Sequence, residues 1–303
     1  MKRPPSGATN TNPCNANIVK GFMEPKSPLI QDFRNSDCLP FLRSLPNGTV
    51  PLVATDQPYN IGFDYDGEYD DKRTVEDYLQ WCQEWLTEVR RVLTDHGSMW
   101  LAIGPAFVSE LDVLCKRLGF HKRNHVVWHY TFGVNCTAKL TPSTTHFLYY
   151  TKHRTKFTFN AAAEKVPSAR QLVYNDPRAN PSGRLPDDIW FLRPQFIPGG
   201  LDENGEAWYF PRVSGTFKER IDVPNQLPEQ LMGRIIRLSS NPGDTVLDCF
   251  AGSATTLVVA KKLGRGYLGC EQSSKFYKMA LARLEAAADG QPLAGRDHPE
   301  TAE

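Results

Sequence analysis

The sequence predicts a doubly wound α/β sheet interrupted by one long irregular insertion. Three observations carry this. Strand-length apolar runs alternate with amphipathic helical patterns at both ends of the chain. Between them, from about 160 to 225, periodicity fails over about 65 residues in which Pro, Gly, Asn, Arg, Trp and Phe are interspersed. The chain has 303 residues, 40 % apolar and 23 % charged. That is enough for one large α/β domain with an inserted lobe, or for two small domains.

The elements follow in order. "DCLPFLRSLPNGTVPLVATD" reads as a short helix over Cys38–Leu45, a turn at Pro46-Asn47-Gly48 and a buried strand ending at Asp56. Residues 75–93 place Tyr78, Cys82, Trp85, Leu86, Val89 and Leu93 on one helical stripe. "DHG" is expected to end that helix, with Gly97 as its C-cap. "SMWLAIG" is a strand, and residues 106–118 form a helix on Phe107, Leu111, Leu114 and Leu118, stopped by Gly119. "NHVVWHY" and "THFLYYTK" are two more strands. After the insertion come a helix on Leu231, Ile235, Ile236 and Leu238, the turn "NPGD" and the strand "TVLD". A turn of small residues, the helix Thr255–Leu263, the strand "YLGCE" and a last helix from Ser273 complete the pattern. The first structured unit is expected to start near residue 28. Residues 1–27 and 289–303, polar and without an apolar period, read as flexible tails.

Composition narrows the function. No apolar run approaches the roughly 18–20 residues of a membrane span, and the N-terminus has no apolar core of a secretory signal. The seven cysteines are scattered without a CxxC, so neither zinc nor a disulfide framework is indicated and a cytoplasmic location is expected. The net charge of +1 hides an asymmetry. Residues 56–115 hold 13 Asp/Glu against 4 Lys/Arg, and residues 116–195 hold 4 against 13. Either one face attracts a polyanion, or the two blocks neutralise each other across the fold.

Two motifs carry chemistry. "VLDCFAGSATT" is a strand, a small-residue turn and a helix, and the next strand ends in Glu271, 19 residues after Gly252. Such a turn lets backbone approach a ligand, and an acid at the end of the second strand can take both hydroxyls of a ribose. One glycine and no P-loop lysine disfavour phosphate, so a nucleoside without pyrophosphate fits. "TDQPYN" sets Asp56, Gln57, Pro58 and Tyr59 directly after a buried strand. A plain turn explains Asp and Pro. An amine-binding site with a stacking platform explains all of them.

Together, "DCFAGSATT" with "GCE" and "TDQPYN" resemble the cofactor motif and the D-P-P-Y catalytic motif of S-adenosylmethionine-dependent DNA amino-methyltransferases. The catalytic motif comes first, the irregular region next and the cofactor motif last, which resembles the permuted β class. The likeness runs from about Asn35 to Leu284. It implies a Rossmann-like methyltransferase sheet in permuted order, with residues 28–159 as the catalytic half, 160–225 as a target-recognition insert and 226–288 as the cofactor half.

The resemblance also assigns roles. Asp56 and the carbonyl of residue 57 would accept the two N–H bonds of an exocyclic amine, Pro58 would stiffen the loop, and Tyr59 would stack on a base flipped out of the duplex. Asp248, Phe250, Ala251, Gly252, Ser253, Thr255, Thr256, Glu271 and Gln272 would hold S-adenosylmethionine. Lys139, Arg170, Arg178, Arg184 and Lys218 are candidate contacts to double-stranded DNA. Tyr174, Trp190, Trp208 and Tyr209 are expected to pack rather than to stack on bases. No metal is needed. Adenine N6 is the expected target; cytosine N4, or a weakened DNA-binding relative, is the alternative. A homodimer and a restriction partner are compatible with the resemblance, and no residue indicates either. Two departures stand out: Gln57 replaces the first proline, and Ala254 replaces the second glycine of the turn, where its Cβ is expected near the ligand.

Overall fold

A computed structural model describes residues 28–295, except 64, 66, 68, 70, 131–135, 173, 192–212 and 214–218. Trp208, Tyr209 and Lys218 therefore lie outside the described residues, as do the tail residues 1–27 and 296–303.

The elements run β1 (Gln31–Asn35), α1 (Cys38–Ser44), β2 (Val50–Asp56), α2 (Val75–Val92), β3 (Leu93–Ile103), α3 (Val108–Arg117), β4 (His121–His129) and β5 (Thr144–Thr151). Then follow a 3-10 turn (Ala161–Glu164), α4 (Ala169–Leu172), β6 (Ile189–Phe191), α5 (Glu229–Ser239), β7 (Thr245–Asp248), α6 (Thr255–Lys262), β8 (Gly266–Glu271) and α7 (Ser274–Ala286). One eight-stranded sheet has the order β1-β8-β7-β2-β3-β5-β4-β6. β5 is antiparallel to both its neighbours, and the other pairings are parallel.

The apolar runs of β2 and β7 are buried on both faces, as central parallel strands require. Helices α1, α2 and α3 pack on one face through Phe41, Leu86, Val89 and Leu111. Helices α5, α6 and α7 cover the other through Ile235, Val258 and Leu284. Adjacent strands β2 and β7 thus send their following helices to opposite faces. Their C-terminal ends diverge into a crevice at the topological switch point, where open α/β sheets bind ligands.

Several local expectations need correction. Gly97 is not a C-cap: α2 ends at Val92, with the Leu93 N–H on the Val89 carbonyl, and Gly97 lies inside β3. A side chain there would press on Leu93 Cδ2 at 2.9 Å and on the Thr94 carbonyl at 3.0 Å, so close approach rather than capping selects glycine. Residues 289–295 do not begin a loose tail. Leu293 packs where a Gly233 Cβ would sit, the Ala294 N–H donates to Glu229 Oε2 at 2.7 Å, and Lys262 Nζ donates to the Pro292 carbonyl at 3.2 Å. The expected irregular insert contributes a strand, β6, which pairs with β4 and buries Trp190 against Trp100. Tyr174, by contrast, is exposed rather than packed.

The basic block is not one surface. β4 starts and β5 ends away from the crevice, which carries Lys122, Arg123, Lys152 and Arg154 to the opposite end of the sheet. Asp112 binds Lys116 at 2.7 Å and Lys122 at 3.0 Å, and Asp95 lies 3.6 Å from Lys152. The acidic and basic blocks neutralise each other here.

Candidate active site

A cavity of about 580 Å³ opens at the switch point. Asp56, Gln57, Pro58 and Tyr59 line it from the end of β2. Asp248, Phe250, Ala251, Gly252, Ser253, Thr255 and Thr256 line it from the turn after β7, and Glu271 and Gln272 from the end of β8. Every candidate catalytic and cofactor residue thus faces one space.

The two halves are tied directly. The Thr55 hydroxyl donates to Asp248 Oδ1 at 2.7 Å, and the Phe250 N–H donates to the same oxygen at 3.1 Å. Burial pushes the Asp248 carboxyl above its ordinary range, against those bonds and one from Thr256. Glu271 Oε2 accepts from the Gly252 N–H at 2.9 Å and Oε1 from the Ser273 N–H at 2.9 Å. The carboxylate, at the end of β8, therefore braces the turn. Ser253 and Thr255 are braced from behind: Arg283 donates to the Ser253 carbonyl at 3.0 Å and to Thr255 Oγ1 at 2.8 Å.

On the β2 side, the Tyr59 hydroxyl donates to Asp56 Oδ1 at 2.6 Å. Asp56 is pushed up to about 7, first by burial and then by Asp248, while the Tyr59 bond pulls it down. The loop after Tyr59 is built around Asp71. Its buried carboxylate accepts from the N–H groups of Asn60, Ile61 and Phe63 at 2.8, 3.0 and 2.9 Å. Asn60 sits in the left-handed region with φ 57° and exchanges two bonds with the Arg73 backbone. Tyr78 of α2 holds the Pro58 carbonyl at 2.9 Å. Gln57 is only 1 % exposed, and neither amide atom has a hydrogen-bond partner of normal geometry.

Ala254 is a correction. It occupies the left-handed region, with φ 57° and ψ 27°, and is fully buried in the α5–α6–α7 core. Its Cβ is not near the ligand space; what a glycine would relieve is backbone strain.

The candidate DNA contacts divide. Lys139 lines the cavity. Arg170 and Arg178 lie 4.0 and 2.9 Å from Asp176, and Arg184 forks onto Asp187 at 2.7 and 2.8 Å. Arg178 and Arg184 already hold carboxylates, which weakens their claim on phosphate or guanine, while Arg170 stands at the limit of an ion pair.

The sequence reading missed several wall residues. Ser36, Asp37 and Cys38 reach the cavity because β1 pairs with β8 and Asn35 Nδ2 donates to the carbonyls of Glu271 and Gln272 at 2.8 and 2.9 Å. The N-cap pattern at Asp37 was the available signal. Asn225, with φ 54°, Gln226 and Leu227 enter from the segment before α5. Gly104, Trp128, Tyr130 and Phe276 complete the walls. Cys249 also lines the cavity, with its thiol pushed up by burial, and the Cys270 thiol donates to the Cys249 carbonyl at 3.2 Å. Both cysteines pack. Among the described residues no cluster of His, Cys, Asp and Glu could hold a metal, and no helix is long and apolar enough to cross a membrane.

A doubly wound sheet in this strand order, with the loop after β2 and the small-residue turn after β7 meeting at one switch point, is the Rossmann-like architecture of methyltransferases. Solved structures share this fold. The chain superposes on the M1.HpyAVI–SAM complex with a TM-score of 0.57 at 21 % identity, covering 84 % of this chain and 99 % of the other. PvuII DNA methyltransferase, described as cytosine-N4-specific, gives a TM-score of 0.57 at 17 % identity over 85 % and 89 %.

The chain belongs to the N6/N4 DNA methylase family, whose model matches residues 50–282. It is 36 % identical over 260 residues to the DNA adenine methyltransferase YhdJ of Escherichia coli, covering 84 % of this chain and 82 % of the relative. It is 34 % identical over 257 residues to the type II methyltransferase M.HpaI of Haemophilus parainfluenzae, covering 84 % and 74 %.

Proposed function

We propose that this DNA methyltransferase moves a methyl group from S-adenosylmethionine to adenine N6 in duplex DNA. The observation that carries the reading is the convergence of the Asp56–Tyr59 loop and the Gly252–Glu271 turn on one cavity. The aromatic and apolar walls and the braced carboxylate of Glu271 fit the cofactor's adenosine. Bound there, S-adenosylmethionine supplies an electrophilic sulfonium methyl group. Glu271 takes the ribose hydroxyls, and Phe250 and Phe276 shield the nucleoside from water.

The substrate amine needs two acceptors so that its nitrogen lone pair is free to react. Asp56 Oδ2 and the carbonyl of residue 57 supply them, and Tyr59 offers its ring to the extruded base. With its carboxyl near 7, Asp56 can also hold the proton that the amine sheds. An acid at position 56 and the likeness to an adenine methyltransferase favour adenine over cytosine. Lys139, exposed and lining the cavity, is the first DNA contact to test.

The experiment is base-resolved sequencing of modified DNA from cells expressing the chain, with Asp56→Ala as control. N6-methyladenine at one sequence, absent in the variant, supports the reading. N4-methylcytosine would transfer it to the other amine. Unmodified DNA with retained duplex binding would leave a DNA-binding module.

A further inference from the structure

We propose that Gly104 is a positioning residue for methyl transfer: the missing side chain at the end of β3 holds the Tyr59 ring in the setting that keeps its hydroxyl on Asp56. The inference rests on Asp56 being the group that accepts the substrate amine.

Gly104 does not owe its identity to backbone freedom, since it is not among the positive-φ glycines. Space selects it. A Cβ at Gly104 would lie 2.9 Å from Tyr59 Cδ2, 3.3 Å from Cε2 and 3.6 Å from Cγ. A contact under 3.0 Å is relieved cheaply only when the opposing atom can swing away. The Tyr59 ring cannot. Its hydroxyl is tied to Asp56 at 2.6 Å. The backbone before it is held by Tyr78 on the Pro58 carbonyl at 2.9 Å. The backbone after it is held by Asp71 on the Asn60 N–H at 2.8 Å. Nor can β3 yield easily, because Ala102 and Ile103 are paired with Phe147 and His146 of β5. An added methyl group must therefore displace the ring and lengthen its bond to Asp56.

That bond does two things. It occupies Oδ1, and among the described residues no other hydrogen bond reaches the carboxylate, so Oδ2 is left for the amine. It is also the one influence favouring the ionised form. The surroundings oppose it: Asp248 at the end of β7 repels the charge, and burial disfavours it. Tyr65 from the following loop, its hydroxyl pushed up by burial, and Tyr130 just after β4 are the other titratable neighbours of Tyr59.

The first test is kcat/KM against pH for wild type, Gly104→Ala, Tyr59→Phe and the double variant, on a duplex carrying the site found by sequencing. Each single variant should move the acid limb upward by about one pH unit, the double variant no further, with cofactor affinity unchanged. An unmoved limb in Gly104→Ala, or shifts that add, would overturn the proposal. The second test needs no activity and survives a poorly folded variant. Gly104→Ala should lower the melting temperature in wild type and not in a Tyr59→Ala background; an equal loss in both would show that Tyr59 is not what Gly104 makes room for. If instead Asp56→Asn transferred methyl groups at the wild-type rate, the reading of Asp56 would fall, while the melting comparison would still decide the Gly104 contact.

Discussion

Thr55 Oγ1 donates to Asp248 Oδ1 at 2.7 Å, joining side chains 193 residues apart in the chain. Thr55 precedes Asp56, the first residue of the loop proposed to accept the amine, and Asp248 opens the turn proposed to hold the cofactor. Both are buried, so the bond is shielded from water and fixes the spacing of the two strand ends. Local changes at either loop should therefore act on transfer and on cofactor binding separately, with the scaffold intact.

Asp56 should impose an acid limb. Its carboxyl lies near 7, and a proton on Oδ2, the oxygen that does not hold Tyr59, turns the acceptor for the amine into a donor, so kcat/KM should fall below about pH 7. Stability should run the opposite way. The folded carboxyl binds its proton more tightly than the unfolded one, so folding stability is lost as pH rises from about 4 to about 7. Asp56→Asn should accordingly raise the melting temperature at pH 8 and not at pH 4, while abolishing transfer. Calorimetric scans at the two pH values check the sign.

Gln57→Met should stabilise the protein. The amide is buried and makes no hydrogen bond of normal geometry, with the Tyr78 hydroxyl as a polar neighbour, and a buried unsatisfied polar group costs about 1–3 kcal/mol. Met matches its length and keeps the backbone carbonyl. Urea unfolding should show a gain within that range with methylation retained. A loss of stability would mean that the amide is bonded to the Tyr78 hydroxyl.

Ala254→Gly should be almost neutral. Leaving the left-handed region strained costs about 1 kcal/mol, and burying the methyl group contributes about 0.8 kcal/mol in the other direction. Because that methyl group lies in the core, cofactor affinity should not change. A large gain in affinity by titration calorimetry would put the Cβ back beside the ligand.

Glu271→Gln should weaken S-adenosylmethionine binding by about 1.5–3 kcal/mol, the scale for a hydrogen bond to a charged group. Gln keeps one oxygen to brace Gly252 but turns its NH2 group toward the Ser273 N–H, so a melting scan of the variant is needed to separate ribose binding from loosening of the turn. An unchanged dissociation constant in a folded variant would place the nucleoside elsewhere in the cavity.

Much of this protein is readable locally. The 3.6-residue stripe of α2, the apolar runs of β2, β3 and β7, and the turn chemistry around Gly252 follow from the residues themselves, because period and φ preference are properties of short stretches. So do the two motifs and their order, and with them the family.

Pairing and distance are not local. β1 is the polar stretch Gln31–Asn35 and becomes a strand only beside β8, and β6 has three residues with a ladder supplied by β4. Residues 289–295 look like a tail until Gly233, Lys262 and Glu229 receive them. The arginines of the insert look free until Asp176 and Asp187 fold back on them. The sequence determined which groups this protein carries and in what order they come. Only tertiary structure decided which of them meet, because burial, hydrogen bonding and the space beside a glycine depend on atoms that the chain brings together from far apart.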